Sequence, residues 1–244
     1  MLKIRIKFSK HGAFRFIGHL DIMRYFQKAF RRAEIDIAYS EGFSPHQIMA
    51  FSAPLGIGLE SDGEYMDVVL NSCISLSDLK SRLNAQMAEG IEILSAKYLA
   101  EKTANAMASV AAAGYYVFLR DHFTPEMGWK SAIEAFLAQE KIPVVKKTQK
   151  NEFEIDMKQF IFDFHVSSYQ GEDCFYMMVN ASSSGNMKPV LVLTELYGYL
   201  GLTFDASNLH ITKEDTYLNL GTEEVPEYAP LDAIGMDEIG MDEK

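Results

Sequence analysis

The chain has only two cysteines, Cys73 and Cys174, among its 244 residues. That excludes a disulfide scaffold. It also excludes a self-contained iron–sulfur cluster held by four thiolates. No apolar run approaches the roughly 18 residues a membrane span needs. The opening MLKIRIKF alternates charged and apolar residues, which reads as a strand and not as a signal peptide. These absences predict a cytoplasmic chain with reduced thiols and no membrane contact. Several catalytic signatures are missing too. There is no G-x-S-x-G and no P-loop, and Gly56-Ile57-Gly58 lacks the rest of a dinucleotide fingerprint. No pair of histidines shows a zinc spacing, so no metal is expected at His11, His19, Asp21 or His46, and His122, His165 and His210 read as structural. What remains is an ordinary globular composition, 48% hydrophobic and 23% charged.

The net charge of −11 is unevenly spread. Residues 1–50 hold nine Lys/Arg against four acids, a balance of +5, whereas residues 222–244 hold one lysine against eight acids, a balance of −7. Only the first fifth of the chain is suited to a phosphate-rich partner. Lys3, Arg5 and Lys7 alternate with Leu2, Ile4, Ile6 and Phe8, so they read as the solvent face of one strand.

Periodicity predicts an amphipathic helix over 18–33, a Gly/Ser/Pro loop from Tyr39 to about Gly63, a strand over 64–70, a helix to about Met87 capped at Ser77 or Asp78, and a strand over 91–99. With one further extended piece this is β-α-β-β-α-β, the ferredoxin-like pattern. The second half reads similarly: a long strand over 106–120, a helix from Thr124 to about Gln139, strands near 144–147, 152–157, 160–167 and 174–180, a helix over 189–200 and a last strand over 209–220. The expected fold is therefore α+β. It has two tandem ferredoxin-like halves with antiparallel sheets, residues 1–100 and 101–221, and a flexible, disordered acidic C-terminal tail over 222–244. The tail carries IGMDE twice in succession and has a docking peptide as its alternative reading.

The densest chemistry lies between Arg15 and Tyr65. Arg24, Lys28, Arg31 and Arg32 step along the first helix by three or four, forming a cationic stripe beside Phe26 and Phe30. Cations that meet phosphate, interleaved with rings that stack on bases, are what an RNA binder needs; a plain solvated helix face has the same charge pattern. The loop YSEGFSPH, with Tyr39, Ser40, Gly42, Phe43, Pro45 and His46, combines a glycine and a proline in a way that holds an imidazole and a phenyl ring in place. His19, Asp21 and His46 are the candidates for catalysis, the histidines as general acid or base. Arg15 joins the stripe as a candidate phosphate contact.

These residues resemble the radical SAM-linked proteins, the DUF2344 family, whose motifs run R-F-x-S-H-L-D-x-x-R, R-R-A, Y-S-x-G-F-N-P-H-P, L-P-L-G and S-x-G-E-Y-x-D. Arg15, Phe16, His19, Leu20, Asp21 and Arg24 match the first. Arg31, Arg32 and Ala33 match the second, and Tyr39, Ser40, Gly42, Phe43, Pro45 and His46 the third. Pro54, Leu55, Gly56, Ser61, Gly63, Glu64, Tyr65 and Asp67 match the rest. Gly18, Ser44, Gln47 and Ala53 depart from the pattern. The resemblance implies a partner or fusion of a radical SAM protein. This chain would bind no cofactor, and the partner would carry the 4Fe-4S cluster, S-adenosylmethionine and, in some cases, cobalamin. It points loosely to RNA modification.

Three readings follow. The first is a non-catalytic accessory module that binds structured RNA, a tRNA or rRNA segment, and presents it to the radical SAM enzyme. The second is a stand-alone RNA-acting enzyme, by fold analogy with pseudouridine synthases or RNA endonucleases. The third is a protein-only scaffold for the radical SAM partner.

Overall fold

The structure is a computed structural model that describes residues 1–120, 124–147 and 152–238. In chain order the strands are β1 (Leu2–Lys10), β2 (Met49–Phe51), β3 (Glu60–Leu70), β4 (Ile91–Leu99), β5 (Ala112–Leu119), β6 (Pro143–Lys147), β7 (Glu152–Asp156), β8 (Ile161–Tyr169), β9 (Glu172–Asn180), β10 (Leu209–Asn219) and β11 (Tyr228–Pro230). The helices are α1 (His19–Arg32), α2 (Leu76–Asn84), α3 (Ala106–Ser109), α4 (Trp129–Leu137) and α5 (Pro189–Tyr199). The chain is thus mixed α/β, with mostly antiparallel pairing and few helices. It divides into two compact units, Met1–Ala111 with Lys213–Lys244, and Ala112–Thr212.

In the first unit β4, β1 and β3 are neighbours in that order, and the short β2 also pairs with β3. All three pairings are antiparallel. The register sets Arg5 opposite Asp67 and Phe8 opposite Glu64. Alternation along β1 points Ile4, Ile6 and Phe8 to one face, where Ile22, Phe26 and Phe30 of α1 and Leu79 and Leu83 of α2 complete the core. Helix α1 ends where Glu34 takes a left-handed φ of 53°. The Arg82 guanidinium donates to the Ala33 and Glu34 carbonyls, satisfying acceptors that a helix end leaves open. Ser75, two residues ahead of Ser77, accepts from the Asp78 N–H and starts α2.

The opposite face of β1 is not a solvent face. Arg5 is fully buried, and Lys7 reaches Asp215 at 2.5 Å. Lys3 donates to the Thr103 carbonyl. The reading of Lys3, Arg5 and Lys7 as a water-facing row fails because residues 103–106 and 231–232 cover that face. The acidic tail is corrected for the same reason. Residues 228–237 are bound into the first unit: β11 pairs with β10, Leu231 is fully buried, and the Asp232 carboxylate accepts from the Ser95 hydroxyl at 2.5 Å. Backbone pairing and fixed charge partners supply what the segment lacks in apolar area. The second IGMDE copy, at 239–243, lies outside the described residues.

In the second unit β5, β9 and β8 are neighbours, and Leu209–Thr212 of β10 runs beside β5. The pairs β5–β9 and β8–β9 are antiparallel, and β6 and β7 form a separate hairpin. Trp129 sits edge-on to Phe175, with ring centroids 5.0 Å apart. Two boundaries differ from the sequence reading. Residues 106–109 form α3, because the Asn105 side chain accepts from the Ala108 N–H and caps a helical turn there. The helix expected from Thr124 starts at Trp129, because Pro125 lies in a turn closed by the Gly128 N–H. His122 lies outside the described residues.

Candidate functional site

Helix α1 buries Ile22, Phe26, Ala29 and Phe30 and leaves Leu20, Asp21, Arg24, Lys28, Arg31 and Arg32 exposed. The exposed cations are not equivalent. Arg24 pairs with Asp21 one turn back, at 3.2 Å, and Arg32 reaches the Gln86 side chain and carbonyl. Arg15 is half-buried, 3.5 Å from Glu60, with its guanidinium 4.8 Å above the Phe16 ring. Lys10 donates to the Ile17 carbonyl. Lys28 and Arg31 are the cations of this stretch that point into solvent with no protein partner among the described residues.

The loop that follows α1 is pinned at its neck. The Ser40 N–H donates to the His46 carbonyl at 2.8 Å, the His46 N–H donates to Ser40 Oγ at 3.1 Å, and Ser40 Oγ lies 2.9 Å from His46 Nδ1. Gly42 at the tip has φ 107°, a conformation that side chains rarely adopt. The result is a tight loop that holds Phe43 out in full exposure and leaves His46 at the surface. The loop is tied to the helix as well. Gln47 Nε2 donates to the Gln27 carbonyl at 3.3 Å and to the Tyr39 hydroxyl at 3.4 Å. Tyr39 is therefore held near the middle of α1, between the turns that carry Arg24 and Arg31.

The catalytic candidates each have a different partner. Asp21 holds Arg24, and His46 is held by Ser40. The His19 ring packs edge-on to Phe51, with centroids 5.5 Å apart. His19 lines a crevice with Lys10, Ser52, Pro54, Leu55 and Glu64 that encloses about 20 Å³, room for about one water molecule. Burial lowers the His19 pKa there, against the raising effect of Glu64. Burial also lowers that of Lys10. Glu64 is committed to Lys213 at 2.5 Å and accepts from the Ser61 hydroxyl at 2.8 Å. Among the described residues, no three His, Cys, Asp or Glu side chains come together as metal ligands do.

Sequence reasoning missed a buried polar network on the face of β1 that carries Arg5 and Lys7. Asp67 takes both ends of the Arg5 guanidinium, at 2.8 and 3.0 Å. The Tyr65 hydroxyl donates to Asp215 at 2.7 Å. Burial raises the Asp215 pKa, although Lys7 and Tyr65 oppose it. Burial and the neighbouring Asp215 and Asp232 push the Tyr65 phenol far up. Both strands are charged in the sequence, but Lys3, Arg5 and Lys7 recur every two residues whereas Asp62, Glu64 and Asp67 do not, and of these three cations the register sets only Arg5 opposite an acid, Asp67.

The S-x-G-E-Y-x-D residues therefore build the sheet's charged side, and the Y-S-x-G-F residues build the exposed loop. A family model described as an uncharacterized protein conserved in bacteria, DUF2344, matches residues 3–189. The chain belongs to the DUF2344 family. That description names neither RNA nor a radical SAM enzyme. No curated protein matches this DUF2344 chain. Among solved structures, the crystal structure of a Cbf5–Nop10–Gar1 complex is similar to it, with TM-score 0.45 and 11% identity over 87% of this chain. The match covers 48% of that chain, so the DUF2344 chain spans about half the length of this solved relative. No helix among the described residues is long and apolar enough to cross a membrane.

Proposed function

We propose that this DUF2344 protein is an RNA-binding accessory module, with α1 and the 39–47 loop as its RNA face. The observation that carries the proposal is the pinned loop. A seven-residue segment closed by Ser40 and His46 holds a fully exposed phenyl ring, Phe43, while Gln47 ties the loop to a helix that shows Lys28 and Arg31 to solvent. An exposed ring costs stability in water and gains it by stacking on an unpaired base. Lys28 and Arg31 hold phosphates, and Arg24 joins them by leaving Asp21. Tyr39 and His46 flank the base. Arg32 and Arg15 shape the surface through Gln86 and Glu60. On this reading the module works in the cytoplasm and presents RNA to a radical SAM partner, which carries the iron–sulfur cluster, S-adenosylmethionine and any cobalamin. The strand orders β4-β1-β3-β2 and β10-β5-β9-β8, each with two helical crossovers, support tandem ferredoxin-like halves as the scaffold.

The test is binding to a tRNA and rRNA-fragment pool across a salt series, comparing wild type with Lys28→Ala/Arg31→Ala and with Phe43→Ala. The double variant is expected to bind weakly, with its log–log salt slope reduced by about 1.4 for two lost single-strand phosphate contacts. Phe43→Ala is expected to weaken binding by about 1–3 kcal/mol with the slope unchanged. Equal affinity and slope in all three proteins would refute the RNA face.

A further inference from the structure

The pentapeptide I-G-M-D-E occurs at 234–238 and again at 239–243. The first copy is seated on the outer edge of β4, the end strand of its sheet. There the Tyr98 N–H donates to the Met236 carbonyl and the Met236 N–H donates to the Tyr98 carbonyl, both at 2.9 Å. Lys97 Nζ holds the Asp237 carboxylate at 2.6 Å. The Gly235 backbone passes so close that a Cβ there would lie 2.2 Å from the Lys97 Cβ, so only glycine fits. Met236 lines a groove of about 710 Å³ with Met1, Leu2, Val69, Tyr98 and Leu99.

Residues 239–243 repeat each of these requirements. In that second copy Gly240, Met241 and Asp242 stand at the positions of Gly235, Met236 and Asp237. We propose that the β4 edge is a docking site for the I-G-M-D-E segment, with residues 239–243 of the same chain as its second occupant, taking the seat when the first copy leaves. A five-residue slip keeps the contacts of Leu231 and Asp232 upstream and only lengthens the link between Asp232 and the seat. A few added loop residues cost little entropy. Because the two registers offer the edge the same chemistry, register is weakly specified. The edge stays capped in both, which denies its unpaired backbone groups to a foreign strand.

Hydrogen exchange at the Tyr98 amide reads the seat directly. In the full chain, Gly235→Val and Gly240→Val each close one register, and each is expected to lower Tyr98 protection by about twofold, as half of a two-state closed population is lost. The double variant is expected to lose that protection while the β1 amides stay protected. Global unfolding of the double variant alone would also support interchangeable copies. A Gly235→Val chain that loses Tyr98 protection as fully as the double variant, or that does not fold, overturns the proposal, as does a double variant that keeps it. Methionine methyl spectra give a second reading: in Gly235→Val the Met241 methyl shifts on entering the groove, and an unmoved Met241 signal overturns the second occupancy.

Discussion

Replacing Asp67 with alanine strands a cation in the protein interior. Arg5 is 0% exposed. Two of its N–H groups go to the Asp67 oxygens at 2.8 and 3.0 Å, and the others found in the structure reach the Leu231 and Ala104 carbonyls at 2.8 and 3.1 Å. The carbonyls remain in the variant, but no counter-charge does. Breaking a buried ion pair from one side costs about 3–5 kcal/mol. The Ala106 N–H, which donates to Asp67 at 2.8 Å, loses its acceptor too, adding about 1 kcal/mol. The expected loss is therefore about 4–6 kcal/mol, a large share of the roughly 5–15 kcal/mol that holds a domain folded. It corresponds to a fall in Tm on the order of 10 °C. Arg5→Met combined with Asp67→Leu removes both charges and is expected to be more stable than Asp67→Ala alone. Urea unfolding followed by far-UV circular dichroism is the assay. Fluorescence of the single tryptophan would report on the second unit, where Trp129 sits. A loss below about 1 kcal/mol for Asp67→Ala, or a double variant less stable than the single, would refute the reasoning.

Two further outcomes are expected. The His11 Nε2 lies 2.7 Å from Asp62 and its Nδ1 3.5 Å from Glu60, which also faces Arg15. The hydrogen bond to Asp62 raises the His11 pKa above its ordinary 6.5. The clamp's contribution to stability is thus complete below about pH 6.5 and is lost as pH rises through the folded-state value. The urea-midpoint gap between wild type and Asp62→Asn should shrink over that rise, and a gap that widens would sink the assignment. Cys174 is buried, and burial pushes its thiol up to about 11, whereas Cys73 is exposed. A disulfide reagent at mildly alkaline pH should titrate one fast thiol per native chain, and two fast thiols would contradict the burial.

Local periodicity made most elements legible. The strand expected over 91–99 is Ile91–Leu99, and the helix expected over 18–33 is His19–Arg32. What periodicity could not supply is the covering of a face. Arg5 alternates like a surface residue, and it is buried because Ala104 and Leu231, 99 and 226 residues further along, lie over it. Caps chosen by side chains shifted other boundaries, as Asn105 and Ser75 show. At the candidate site the residue types were readable but not their commitments. Nothing in the helical spacing of Arg24, Lys28, Arg31 and Arg32 separates the two that are engaged by Asp21 and Gln86 from the two with no partner among the described residues. The Ser40–His46 pin was likewise hidden, since two polar residues six apart in a loop carry no periodic signal.

The first unit takes its residues from both ends of the chain, and this sets an order of events during synthesis. Arg5 and Asp67 leave the ribosome early, yet the carbonyl of Leu231 that completes the Arg5 shell is made 226 residues after Arg5. At about 5–20 residues per second that interval is roughly 10–45 s. Through it the first unit carries a half-solvated arginine and an uncapped β4 edge, while residues 112–212 emerge and find their own core. Slowed translation between residues 112 and 230 would lengthen that exposure without changing the final fold.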